Sequence, residues 1–256
     1  MQEVVKEKKE DLRLLEFDLS EYSGKVLAPP RDVNEVHVWF AQAPGDTRQF
    51  AKYRSMLSSD ELDRAARFRF EPDRQNFVFA HGVLRTLLSA YLGTAAGDLR
   101  FQYSEHGKPS LVSPSSAGLQ FNLSHTFGAV LLGVCRNRDI GVDIERVRDD
   151  FDWEGVVAQY FSEGERRSLM RLTEPERTEC FFQNWTRKEA LLKARGDGLS
   201  FPLELLDPVA FDDAEGRFEA TPVAPDAQCW WILSLNVPMG YAAAMALSRL
   251  SCARTG

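Results

Sequence analysis

The sequence predicts a mixed α+β fold, and three observations carry that prediction. Stretches with a side-chain period of two, or with continuous apolar character, recur. Val36, Val38 and Phe40 alternate with His37 and Trp39, Ala129–Val134 is an apolar run, and Val142 and Ile144 alternate with Asp143 and Glu145. Two long segments read instead as helices, Pro72 to Leu92 and Pro175 to Ala194, each with proline in its first turn, where a backbone N–H has no partner to lose. Ser58 with Glu61 and Ser162 with Glu165 fit capping boxes that start two further helices.

At 256 residues, 44% hydrophobic and 27% charged, the chain has the composition of a globular protein with one large domain or two small ones. Its formal net charge of −7 excludes nucleic-acid binding by bulk electrostatics but leaves room for a local basic pocket. The four cysteines, Cys135, Cys180, Cys229 and Cys252, form no C-x-x-C pair and read as packed, reduced thiols of a cytoplasmic protein. No apolar stretch reaches the ~18 residues of a membrane helix, and no signal-peptide core opens the chain.

In order, residues 1–30 form a charged leader, with Met1–Asp11 frayed or disordered, closed by Pro29-Pro30. Residues 35–41 are the first strand. The helix opened by Ser58 runs to about Phe70. The next, from Pro72, has an apolar face of Phe77, Ala80, Leu84, Leu87, Leu88 and Tyr91, and Gly93 ends it. Strands follow over Leu99–Tyr103 and Phe121–Thr126, separated by the turn Gly107-Lys108-Pro109 and the polar loop Ser113–Gly118. After Asp149-Asp150 the chain turns helical, with the Ser162 helix running to about Leu172 and the Pro175 helix closed by Gly196-Asp197-Gly198. Leu203–Leu206, Val209–Phe211, Trp230–Leu235 and Tyr241–Leu247 read as strands, and Trp230 and Trp231 face opposite sides. No internal repeat is visible, and the boundary between subdomains falls near 136–139, giving 31–137 and 138–256.

Two constellations carry chemistry. Asp143 and Glu145 share one strand face, where paired carboxylates repel unless a cation sits between them, and hard cations such as Mg²⁺ favour such oxygen ligands. Trp185, Glu189 and Lys193 are spaced i, i+4, i+8 and share one helix face. Glu189 is a third metal ligand or a general base, and Lys193 a neutraliser of phosphate charge. Each has a plainer alternative: a solvated acidic edge for the strand, and an i,i+4 Glu–Lys pair worth ~0.5 kcal/mol for the helix.

Gly141-Val142-Asp143-x-Glu145, followed some forty residues later by Trp185-Thr186-x-Lys188-Glu189-Ala190-x-x-Lys193, resembles the bipartite signature of 4′-phosphopantetheinyl transferases. Phe121-Asn122-Leu123-Ser124-His125-Thr126 and Gly107-Lys108-Pro109 look like the surfactin-synthetase-activating (Sfp-type) branch. The resemblance spans about Glu61 to Leu247 and implies two similar α/β subdomains related by a pseudo-twofold, with the active site in the cleft between them. It implies Mg²⁺-dependent transfer of phosphopantetheine from coenzyme A to a serine of apo carrier proteins, acyl or peptidyl, by a cytoplasmic monomer that uses neither nucleic acid nor membrane.

By the same resemblance Asp143, Glu145 and Glu189 hold the metal and Glu189 activates the carrier serine, directly or through water. Lys193 stabilises or protonates the leaving bisphosphate. Arg64, Lys108, Ser124, His125, Lys188 and Lys193 bind coenzyme A. Where many relatives have a second basic residue this chain has Glu61, with Arg74 or Arg85 as substitutes. Glu165 is an acid of the family's motif or a helix cap. His37, His81 and His106 match no pattern and read as structural or exposed. The competing classes are a coenzyme A–binding protein with a decayed site and a Mg²⁺-dependent phosphohydrolase.

Overall fold

The computed structural model describes residues 12–45, 47–112, 118–174, 176–196, 198, 202–205, 217–220 and 229–250. The chain divides into two compact units, Met1–Asn137 and Arg138–Gly256. The architecture is α+β in both.

The first unit contains β1 (Arg13–Asp18), β2 (Glu35–Gln42), α1 (Thr47–Met56), α2 (Ser59–Ala66), α3 (Glu71–Leu92), β3 (Phe101–Tyr103), β4 (Pro109–Leu111), β5 (Leu119–Thr126) and β6 (Ala129–Arg136). Its main sheet has the order β1-β2-β6-β5, and β3 pairs only with β4. Strand β1 runs parallel to β2, and the other pairings are antiparallel. Helix α3 covers the sheet. Leu84, Leu87 and Leu88 are wholly buried among Trp39, Phe121, Leu132 and Val134, and burying each such leucine contributes about 1.5–3 kcal/mol. Gly93 ends α3 at φ +63°, a left-handed conformation that favours glycine.

The strand at 13–18 lies inside the span expected to be a leader. Its Leu14 and Leu15 are buried, and Arg13 pairs with Glu35 of β2 at 3.5 Å. A six-residue charged segment carries no strong strand signal of its own, and pairing with β2 supplies one. Residues 1–11 lie outside the described residues. Helix α1 was not anticipated either; only Tyr53 of its ten residues is buried, with Phe50 partly buried one turn before it. Helix α2 stops at Ala66, short of Phe70.

The second unit contains β7 (Ile140–Arg146), α4 (Glu154–Tyr160), α5 (Glu163–Leu169), α6 (Glu176–Arg195), β8 (Arg217–Ala220), β9 (Trp230–Ser234) and β10 (Tyr241–Ser248). The sheet order is β7-β10-β9-β8, all antiparallel. Ala190, Leu191 and Ala194 of α6 pack with Ile232 of β9 and with Ala244 and Ala246 of β10. In register, Ala246 lies opposite Gly141 and Ala244 opposite Asp143. A Cβ at position 141 would collide with the Ala190 carbonyl oxygen and the Ala194 amide nitrogen. Glycine and alanines thus form a low bed on which the α6 backbone lies.

Leu203–Leu205 is a short 3₁₀ turn rather than a strand. Its reason is tertiary: Leu203 is buried against α6 and its carbonyl accepts from Lys188. The strand expected at Val209–Phe211, and 113–117 of the loop Ser113–Gly118, lie outside the described residues. Helix α5 ends at Leu169 rather than Leu172, and β8 was not foreseen. Trp230 is buried and Trp231 half-exposed beneath Arg249, as the alternation required.

Cys135 and Cys180 stand outside any disulfide, but Cys229 is disulfide-bonded, which corrects the expectation of four reduced thiols. The Arg249 N–H donates to the Cys229 carbonyl at 2.9 Å. Chain just beyond β10 therefore returns to the start of β9, a proximity invisible in sequence spacing.

Candidate active site

In the second unit, the face of β7 that carries Gly141 also carries Asp143 and Glu145, because the side-chain period is two. Gly141 admits α6 to that face, and Lys193, next to Ala194, meets Asp143 there. The Lys193 Nζ donates to Asp143 Oδ1 at 2.6 Å. Asp143 is buried and Glu145 half-buried. Glu189 stands one helical turn before Lys193. Burial lifts its pKa above the usual carboxylate range, the Asp143 charge lifts it further, and Lys193 opposes both. Asp143, Glu189 and Lys193 thus form one interacting group, with Glu145 further along the strand. Three carboxylates and one ammonium leave a formal charge of −2 when all are ionised.

Among the described residues no three His, Cys, Asp or Glu side chains converge as a ready-made metal cluster. The expected trio of Asp143, Glu145 and Glu189 is therefore not preformed as a cage. The ammonium of Lys193 supplies the positive charge beside Asp143 instead.

Trp185 packs as expected, stacked on Phe181 at 6.4 Å and tilted against Tyr160. Lys188 goes elsewhere. Its Nζ lies 2.9 Å from Glu165 Oε2 with both side chains wholly buried, donates to the Leu203 carbonyl at 2.8 Å and sits 5.5 Å from the Phe161 ring centroid. An ammonium enclosed in this way is closed to a ligand, so its expected contact with coenzyme A does not follow from its placement. Glu165 completes its capping box with Ser162 and neutralises Lys188, which is a sufficient account of that acid.

In the first unit, His125 is exposed near the end of β5 and Ser124 is buried, on the opposite face of the strand. Asn76 of α3 reaches His125, with Nδ2 3.1 Å from Nδ1. Arg64 is exposed on α2, its guanidinium 5.4 Å from the Phe77 ring centroid. Lys108 occupies the turn between β3 and β4, its N–H donating to Ser104 Oγ. His106 is exposed beside it.

Glu61 points inward. It closes the capping box with Ser58, lies 3.0 Å from His81 Nδ1 and accepts from Arg85 Nε at 2.7 Å. Burial by itself would raise its pKa, but the bonds from His81, Arg85 and the Ser58 N–H hold it at about 2. Arg85 is almost wholly buried, so it is spent on Glu61 and two backbone carbonyls, Ala96 and Leu99, rather than on a phosphate. Arg74 is half-exposed beside Glu71 at 3.2 Å.

His37 is also structural. The Glu35 carboxylate only accepts, so the ring proton of neutral His37 sits on Nε2, 2.9 Å from Glu35 Oε1, and Nδ1 accepts from the Tyr91 hydroxyl at 2.7 Å, while Trp39 Nε1 donates to the Tyr91 oxygen at 2.7 Å. Burial holds the His37 pKa below its usual value.

These two groups make the first unit acid-sensitive. Both pKa values are depressed on folding, so their stabilisation is complete above the unfolded values, about 6.5 for His and 4.3 for Glu. It is lost as pH falls through the folded ones. The urea stability of the first unit, followed by amide hydrogen exchange of α3, is expected to weaken below about pH 6.5 and again between about 4.3 and 2. Glu61→Gln should flatten the second step and already weaken the unit at pH 7; an unchanged second step would remove Glu61 as its source. Sequence reasoning passed over Asn76, and it read His81 as structural or exposed and Tyr91 as part of an apolar face without finding the partners of either. Their partners lie 20 to 54 positions away, and no local pattern marks them.

Comparison with known proteins places residues 139–246 in a family model described as the 4′-phosphopantetheinyl transferase superfamily, and residues 43–135 in one described as 4′-phosphopantetheinyl transferase, N-terminal. The chain is 36% identical over 203 residues to the 4′-phosphopantetheinyl transferase HetI of Nostoc sp., covering 77% of this chain and 85% of that protein. It is 31% identical over 197 residues to the putative 4′-phosphopantetheinyl transferase slr0495 of Synechocystis sp. (77% and 78%). It is 26% identical over 203 residues to the 4′-phosphopantetheinyl transferase Sfp of Bacillus subtilis (79% and 87%).

Proposed function

The chain belongs to the 4′-phosphopantetheinyl transferase family, and from that premise we propose that it transfers the phosphopantetheine arm of coenzyme A to a serine of apo acyl or peptidyl carrier proteins, releasing adenosine 3′,5′-bisphosphate. The observation that carries this reading is the group on β7 and α6: Asp143 bonded to Lys193, with Glu189 one turn away in a half-buried setting.

The residues fit a divalent cation. They are oxygen donors of the hard type, their formal charge is negative, and the Asp143 charge disfavours ionisation of Glu189. Magnesium commonly takes one or two protein carboxylates and fills its shell with phosphate and water. Asp143 and Glu189, with Glu145 nearby, would hold it, and when bound it supplies Lewis acidity to the diphosphate oxygens.

The rest falls to the chain's own groups. Glu189, whose raised pKa suits a base, takes the proton from the carrier serine hydroxyl. The serine oxygen bonds to the pantetheine-side phosphorus as the bond from phosphorus to the bridging oxygen breaks. Lys193 offsets the charge gathering on the departing bisphosphate. Arg64, Lys108 and His125 bind coenzyme A, whereas the Ser124 side chain is buried on the other face of β5. Lys188 is left out of that set because it is sealed against Glu165. Both family models match within the one chain, which supports a monomer.

Intact-mass spectrometry of an apo carrier protein incubated with this protein, coenzyme A and Mg²⁺ tests the reading. The expected result is a gain of one phosphopantetheine, lost with EDTA. Coenzyme A binding without transfer to any of several carriers would favour the decayed-site reading, and coenzyme A cleavage without carrier a hydrolase.

A further inference from the structure

We propose that Asn76 is a positioning residue, holding the His125 ring in the tautomer that carries its proton on Nε2 and presents that N–H as the donor to a coenzyme A phosphate. This rests on the reading of His125 as a phosphate contact.

The two ends of the Asn76 amide are distinguished by their neighbours. The backbone N–H of Gly128, in the turn after β5, donates to Asn76 Oδ1 at 3.4 Å. A backbone amide only donates, so the end facing Gly128 is the oxygen and the end facing His125 is the NH₂. That NH₂ lies 3.1 Å from His125 Nδ1. It only donates, so Nδ1 is the acceptor, and a neutral imidazole with an accepting Nδ1 carries its proton on Nε2. Asn76 sits on the long helix α3 beside Phe77, which is buried in the core, so its backbone is held by packing. His125 stands near the end of β5, with its ring exposed. A rigid helix thus reaches a ring at a strand end through the Asn76 amide and favours one tautomer. Without it α3 no longer selects that tautomer, and with the proton on Nδ1 the Nε2 atom would meet a phosphate with a lone pair. The same logic governs metal-bound histidines, whose second nitrogen is fixed by an outer partner.

The test is a double-mutant cycle on coenzyme A affinity, read by calorimetry, with the ring proton read by long-range ¹H–¹⁵N correlation spectra of histidine-labelled protein. In the unmutated protein His125 should show an unprotonated Nδ1 and a protonated Nε2. Asn76→Leu should convert this to a mixture, and Asn76→Asp, which can only accept when ionised, should move the proton to Nδ1. Both variants should weaken coenzyme A binding about tenfold, the loss of one hydrogen bond, with unchanged melting temperature. In the His125→Ala background the Asn76→Leu change should have no further effect.

Equal weakening in the His125→Ala background would overturn the proposal, since Asn76 would then act directly. So would a protonated Nδ1 in the unmutated protein, or full affinity in both Asn76 variants while His125→Ala binds weakly; in that last case the phosphate role of His125 survives. Full affinity in His125→Ala sinks the underlying reading and the proposal with it.

Discussion

Lys188→Met should destabilise the second unit by about 3–5 kcal/mol, the usual cost of leaving a buried charge without its partner. The Glu165 carboxylate would lose its ammonium inside a site where both side chains are wholly buried. Methionine matches the length of the stem and leaves little cavity, so the loss reports charge rather than volume. Adding Glu165→Gln should recover most of it, because the uncompensated charge goes too. Four of the five tryptophans, Trp153, Trp185, Trp230 and Trp231, lie in this unit, so urea denaturation followed by tryptophan fluorescence reads it. Coenzyme A affinity of the still-folded fraction should be unchanged. A stable Lys188→Met protein with weakened coenzyme A binding would return this lysine to the ligand site.

Asp143→Ala should lower phosphopantetheine transfer at least about a hundredfold, the scale on which a single charge-stabilising group acts in a transition state, with little effect on folding. The contrast with Lys188 is one of exposure. The Lys193 side chain is 31% exposed and can be hydrated once Asp143 is gone, whereas the Lys188 side chain is 0% exposed and cannot. Lys193→Ala keeps every carboxylate and removes a competing cation, so the Mg²⁺ concentration needed for half-maximal rate should not rise while the rate itself falls by a similar factor. Initial rates against Mg²⁺ for the three proteins separate these effects. Near-normal turnover of Asp143→Ala would end its assignment to the metal site, and unaltered turnover of Lys193→Ala would end that of the lysine.

The two units share a construction that the sequence does not display as a repeat. In each, a Ser-x-x-Glu box starts a short helix, and the buried glutamate turns to a cation on the long helix that follows: Glu61 to Arg85, and Glu165 to Lys188. Both boxes were legible from residues three apart. The ion pairs were not, because their members lie 24 and 23 positions apart and nothing local marks a charge as buried. Glu61, which looked like a lost phosphate contact, is a core anchor of the first unit.

What the sequence determined alone is what neighbours in the chain decide. Period-two alternation put Asp143 and Glu145 on one strand face, the i, i+4 spacing put Glu189 and Lys193 on one helix face, and proline and glycine bounded α3. The bipartite signature pointed to the family. Only the tertiary structure decided which lysine serves the site. Lys188 and Lys193 are five residues apart, about 140° around a helix, and the one over β7 meets Asp143 while the other is drawn into the core by Glu165. Gly141 looked like a motif residue and proves to be the place where the α6 backbone lies on β7. Strand β1 and the Asn76–His125 contact likewise depend on partners remote in sequence. Such contacts arise only once the chain has closed the loops between them, and no local periodicity encodes them.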